Sequence, residues 1–176
     1  SFEMSTDSES GMVFFKHVND VETLLSEHLI KIEEMRASHF VKPILSDLID
    51  FSAVLTRIQE TLDLWTRVQH RKLYLEPVFS YPKIETRLRQ EAVLYLEATS
   101  VLLDINNRFM KNPSFHEIKR ASGLLQILNE TNEKLERAIR GVKDYLDIKR
   151  LTFTRFFFLE DSEVQKILFE STDTWK

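Results

Sequence analysis

An all-α chain, built as an elongated antiparallel bundle of about five helices with short loops, is what three features of the sequence predict. The 176 residues include only three glycines and four prolines, with 43% hydrophobic and 30% charged, a composition rich in helix formers and poor in turn formers. Apolar residues recur at alternating steps of three and four over long stretches, the spacing that keeps one helical face against a neighbour. The gaps between these stretches are short, as antiparallel helical hairpins require. At this length the chain forms one domain or one extended module, since single cores run to roughly 100 to 200 residues.

Residues 1–12 are polar and lack periodicity, so this end is expected to be disordered. A first helix follows Asn19, whose side chain can cap with Glu22 three residues on, and Val21, Leu24, Leu25, Leu29 and Ile32 carry it to about Arg36. Pro43 opens a second helix whose seam is Ile44, Leu48, Phe51, Leu55, Ile58, Leu62 and Trp65. It reaches to about Leu75, because Pro77 opposes simple continuation. A third helix carries Ile84, Leu88, Ala92, Tyr95, Leu102 and Phe109 toward Asn112, and Val93, Leu96, Leu103 and Ile105 widen its apolar surface enough for two neighbours.

Ser114 with Glu117 forms a capping box that starts the fourth helix. Its seam is Ile118, Ala121, Leu125, Leu128, Asn132, Leu135, Ile139, Val142 and Leu146, a run of about 30 residues or ~45 Å. Asn132 either sets the register through a polar contact or turns its amide to solvent. Lys149 and Arg150 end this helix, where positive charge is favourable beside exposed carbonyls. Ser162 with Gln165 is a further capping box, so a fifth helix starts near Asp161.

The stretch between, LTFTRFFFLE, admits three readings. A strand over Thr152 to Leu159 has the right residue types but no second strand to pair with. A membrane anchor is weaker, since the apolar run is four residues long and Arg155 precedes it. The favoured reading is a short helical extension or irregular crossing whose phenylalanines plug the ends of the bundle, each buried ring contributing roughly 1.5 to 3 kcal/mol.

The formal charge of -4 offers no field for phosphate backbones, so nucleic acid is not expected as a partner, and no apolar run approaches the ~18 residues of a membrane span, so neither is a membrane. Zero cysteines exclude disulfides and thiolate metal sites and fit a reducing compartment, so the chain reads as soluble and intracellular. The three glycines are scattered singly, with no phosphate loop. His17, His28, His39, His70 and His116 form no His-Glu-x-x-His pair, and no metal is expected. Ser38 beside His39, and Ser26 near His28, diverge around a helix and cannot act as nucleophile and base. No catalytic residue is assigned.

Two motifs about 70 residues apart carry a more specific signal. The first comprises Trp65, Val68, Gln69, Tyr74, Leu75, Glu76, Pro77, Val78 and Phe79; the second Tyr145, Leu146, Asp147, Lys149, Arg150, Phe153, Arg155, Phe156, Phe157, Phe158 and Leu159. Together they resemble the linker region of dynein heavy chains, over roughly residues 13–176. The chain departs from that pattern at Lys72, where a tryptophan is usual, and at Thr154 and Arg89, where prolines are. These departures leave the local packing open. The Phe-Phe-Phe run and the Glu76-Pro77 pair look more like axonemal than cytoplasmic heavy chains.

The resemblance implies a helical lever lying across a ring of AAA+ modules, bending and straightening as ATP is hydrolysed. By that resemblance the segment is not itself an enzyme and holds no cofactor. ATP and magnesium would bind elsewhere in the parent chain, its partner would be the AAA+ ring of the same heavy chain, and microtubules would be met by other parts. The expected location is the cytoplasm and cytoskeleton, with the axoneme of a cilium or flagellum as the specialised case. Pro77 to Pro82 and Thr152 to Asp161 are the candidate bending points, and Arg137, Arg140 and Lys143 are either a docking patch for an acidic face of the ring or a solvated helix face. The heptads taken alone fit a different class, a stand-alone helical scaffold or tether.

Overall fold

The structure, a computed structural model, describes residues 4–6, 13–15, 18–38, 40–81, 84–111 and 123–170. The fold is all-α, as the composition and periodicity predict. Its helices are α1 (Val18–Arg36), α2 (Leu45–Phe79), α3 (Ile84–Arg87), α4 (Arg89–Lys111), α5 (Leu124–Thr152) and α6 (Asp161–Glu170). Turns of 3-10 helix precede α2, at Lys42–Ile44, and lie between α5 and α6, at Thr154–Phe158.

The expectation of a disordered end at residues 1–12 is corrected in part. Strand β1 (Met4–Thr6) pairs antiparallel with β2 (Val13–Phe15), Ser5 facing Phe14. Three residues are too few to show an alternating pattern, which is why a search for periodicity passes over them.

Several helix boundaries also differ from expectation. Pro77 lies inside α2, which runs on to Phe79. A proline this near a C-terminus forgoes one backbone bond, and the last turn closes when the Ser80 N–H and hydroxyl both donate to the Glu76 carbonyl, at 3.0 and 2.7 Å. The expected third helix is interrupted at Leu88, giving α3 and α4, although the Ala92 N–H still donates to the Leu88 carbonyl at 2.8 Å.

Residues 112–122, with the expected Ser114 cap and the start of that seam, lie outside the described residues. The described helix α5 begins after Gly123, whose φ of 97° is in the left-handed region that a β-carbon disfavours. The Gly123 carbonyl accepts from the Ile127 N–H at 2.9 Å, so this glycine caps α5. Helix α1 starts at Val18, which places Asn19 inside it rather than at the cap. The cap of α6 is displaced from Ser162 and Gln165: the Glu160 N–H donates to Glu163 Oε2 at 3.0 Å, with the Glu160 carbonyl accepting from Glu163 and Val164.

The chain divides into two compact units. One comprises Ser1–Thr66 and Leu103–Leu128. Its core gathers Leu25 and Ile32 of α1, Leu55, Ile58, Leu62 and Trp65 of α2, Ile105 and Phe109 of α4, and Leu124 and Leu128 of α5. Trp65 meets Phe109 edge to face with centroids 4.9 Å apart. The predicted seam of α2 is therefore buried from Leu55 onward, while Ile44 and Phe51 are exposed.

The other unit comprises Arg67–Leu102 and Asn129–Lys176. Here Lys134 pairs with Glu97, Gly141 lies against Glu91, and Tyr145 meets Arg87. As the number falls along α4 and α3 it rises along α5, which makes the pairing antiparallel. Leu135, Ala138, Val142 and Leu146 fill the face of α5 that this pairing covers. The two neighbours expected for α4 are α2, through Phe79 against Tyr95 and Trp65 against Phe109, and α5, through Lys134 with Glu97; Ile105 is buried, but Val93, Leu96 and Leu103 are exposed and do not make these contacts.

Candidate functional site

Both sequence motifs contribute to one polar junction in the second unit. On α2, Val68, Gln69, Leu75 and Val78 are buried at helical spacing, and Phe79 stacks on Tyr95 of α4 with centroids 4.9 Å apart. This inward face is mostly apolar but also carries Gln69. Tyr74, one turn before Val78 and 37% exposed, stands at the margin of this face, beside the start of α6.

There the Tyr74 hydroxyl lies beside Asp161 and Gln165 of α6, with Arg150 of α5 close enough to act on it. Burial, and then the Asp161 carboxylate, push the Tyr74 hydroxyl above the usual phenol range, partly offset by Gln165 and Arg150. Arg150 Nη2 is 2.7 Å from Asp161 Oδ1, and Nη1 is 3.3 Å from Asp147 Oδ1. Arg150 of the second motif thus contacts the Asp161 carboxylate whose charge acts on Tyr74 of the first. Nothing in the linear spacing announces that meeting.

The other motif residues take separate places. The Lys149 ammonium sits over the Tyr145 ring, 5.4 Å from its centroid, and the Tyr145 hydroxyl accepts from Arg87 at 3.1 Å. Lys72 does not replace a tryptophan by facing water. It is buried, its stem lying along apolar neighbours and its Nζ reaching Glu76 Oε1 at 3.0 Å. The same Glu76 carboxylate, after burial itself, raises the Tyr95 hydroxyl.

The aromatic stretch is neither a strand nor a plug. Its residues 154–158 form a 3-10 turn in which none is buried. Phe153 and Phe156 touch, with centroids 5.5 Å apart, but Phe157 is 59% and Phe158 91% exposed. The predicted burial of the three rings is corrected accordingly: the turn projects outward where α5 ends, and a bundle-filling role required it to fold inward. Leu159 is half-buried and Arg155 exposed.

Asn132 makes the register-setting contact. Its Oδ1 accepts from Arg71 Nη1 of α2 at 2.6 Å, and the same guanidinium lies 3.3 Å from Glu136 Oε2. Arg71, which the sequence reading had not singled out, could have been found as a cation on the margin of the α2 seam. Arg137, Arg140 and Lys143 are exposed along α5. His28 and Glu27 are also exposed.

Gly123 caps α5, and a β-carbon at Gly141 would come within 2.5 Å of Glu91 Cγ. Among the described residues no group of three acidic or histidine side chains could hold a metal ion. No helix among them is long and apolar enough to cross a membrane.

Comparison with known proteins agrees with the paired motifs. The family described as dynein heavy chain, N-terminal region 2, matches residues 1–176. Dynein axonemal heavy chain 12 of Homo sapiens is 35% identical over 173 residues, which is 98% of this chain and 6% of that protein. Dynein axonemal heavy chain 3 of Homo sapiens is 35% identical over 156 residues, 89% of this chain and 4% of the relative. Dynein axonemal heavy chain 1 of Mus musculus is 28% identical over 172 residues, again 98% of this chain and 4% of the relative. The chain thus spans about one-twentieth of these relatives, and by the match across its whole length it belongs to the dynein heavy chain family, in N-terminal region 2.

Proposed function

We propose that this segment is part of the linker of a dynein heavy chain, a lever that passes the ATP-driven movement of an AAA+ ring into force on a microtubule. The observation that carries this reading is the junction at Tyr74, Arg150 and Asp161. There Arg150 ties α5 to α6 through Asp161, with Tyr74 of α2 beside them, in a unit where α5 is also linked to α2 by Asn132 with Arg71, to α4 by Lys134 with Glu97 and to α3 by Tyr145 with Arg87. A part that transmits load needs helices that cannot slide, and charged or hydroxyl contacts at several heights along a pair resist sliding better than apolar packing alone.

The segment itself is non-catalytic in this proposal. ATP and magnesium would be held by AAA+ modules elsewhere in the parent chain, the ring of that same chain would be its partner, and other parts would meet the microtubule. The names of the relatives favour an axoneme as the location.

The test is a flexible Gly-Ser-Gly-Ser insertion between Gly141 and Val142 in the full heavy chain, read by microtubule gliding and by ATP hydrolysis. A lever loses gliding speed while hydrolysis continues. A static scaffold, the competing class, keeps its speed, and unchanged gliding with α5 broken would refute the lever.

A further inference from the structure

We propose that Arg150 is a clasp that fixes the direction in which α6 leaves α5, making this joint a rigid elbow instead of a hinge. The 3-10 turn at Thr154–Phe158 has no buried residue, so apolar packing does not hold its shape. Its backbone has its own hydrogen bonds, from the Phe156 N–H to the Phe153 carbonyl and from the Leu159 N–H to the Phe156 carbonyl, and is gripped from outside by the Arg150 side chain. Arg150, 16% exposed, donates from Nε to the Phe156 carbonyl at 3.4 Å and from Nη2 to the Leu159 carbonyl at 3.2 Å.

The same guanidinium reaches the carboxylates on both sides of the turn, Asp147 on α5 at 3.3 Å and Asp161 at the start of α6 at 2.7 Å. Five donors in a rigid planar fork can serve four acceptors at once; an ammonium, a point charge with three donors, cannot span them. The carbonyls served belong to the turn and its exit; that of Phe156 also accepts from the Leu159 N–H at 3.2 Å, so the guanidinium reinforces the bond that closes the turn. On the far side, Val164 and Gln165 are buried, so α6 is seated by one face while its starting angle is set by the clasp.

The clasp stands on these contacts alone, while its mechanical meaning, that α5 and α6 move as one piece and bending occurs elsewhere, rests on the lever reading. Arg150→Lys and Asp161→Asn in the 176-residue chain test it, by amide hydrogen exchange. The expected result for Arg150→Lys is exchange roughly tenfold faster or more at Phe156, Leu159 and Val164, with amides of α4 near Ala98 unchanged.

Asp161→Asn should speed the same three amides, and the double variant should add little, because both changes open one contact set. Unchanged exchange at the turn in both variants would overturn the proposal, as would equal acceleration throughout the chain, which marks general destabilisation. Exchange reports the clasp without reference to motility. A failed clasp and a failed lever are therefore read by different experiments.

Discussion

Replacing Trp65 tests the packing on which the first unit depends. The ring is fully buried, belongs to the α2 seam and meets Phe109 edge to face at 4.9 Å. Trp65→Ala removes the largest fully buried side chain among the described residues and leaves a cavity between helices that cannot fully collapse, at about 3 to 5 kcal/mol. Unfolding entropy for 176 residues is on the order of 0.37 kcal/mol/K, so Tm should fall by roughly 8 to 14 °C. The assay is thermal unfolding followed by circular dichroism. Trp65→Phe retains much of the apolar area and should lose less than half as much. A double-mutant cycle with Phe109→Leu should return a coupling of about 0.5 to 1.5 kcal/mol, the worth of an aromatic pair beyond its area. With Trp175 replaced by Phe, Trp65 becomes the sole indole emitter and should fluoresce at short wavelength until the transition. A fall in Tm below about 3 °C, or emission typical of water in the folded state, would show that this ring does not organise the core.

Phe157→Ser should leave the melting curve within about 0.5 kcal/mol of the parent, because the ring is already 59% exposed; a drop of several degrees would mean that the turn folds inward. Asn132→Ala should lower stability by about 1 kcal/mol in urea titration, and much less in an Arg71→Ala background, since the two side chains share one bond. The Glu22 carboxyl is held above its ordinary value of 4.5, first by burial and then by Asp63 beside it. The folded chain therefore binds that proton more tightly than the unfolded one, and the associated stability is present below 4.5 and lost as pH rises through the folded value. Glu22→Gln should accordingly raise the urea midpoint at pH 7 relative to the parent and narrow the difference at pH 4. Equal effects at both pH values would show that Glu22 and Asp63 do not interact.

The helices were legible because their information is local and repeated. Leu55, Ile58, Leu62 and Trp65, and again Leu128, Leu135, Val142 and Leu146, are buried where their spacing places them. Single punctuation marks were read less well. Pro77 by itself predicts a stop, but it falls in a last turn that Ser80 can close; Ser162 with Gln165 matches a capping box, but Glu160 with Glu163 forms the cap. Each competing choice differs by one or two hydrogen bonds, too little for a local pattern to decide.

Composition and the three-four rhythm determined by themselves that this chain is helical, and the two motifs determined its family. Tertiary structure alone decided which apolar residues are covered. Phe157 and Phe158 look in sequence like any core residues, yet burial depends on what lies opposite, and at the end of α5 no described part of the chain does. Tertiary structure also decided that Arg150 pairs with Asp161 beside Tyr74, 76 positions away from it in sequence. Helix periodicity records how one face repeats along its own axis. Contacts between helices are set by how those axes cross, and that angle is written in no single stretch of residues.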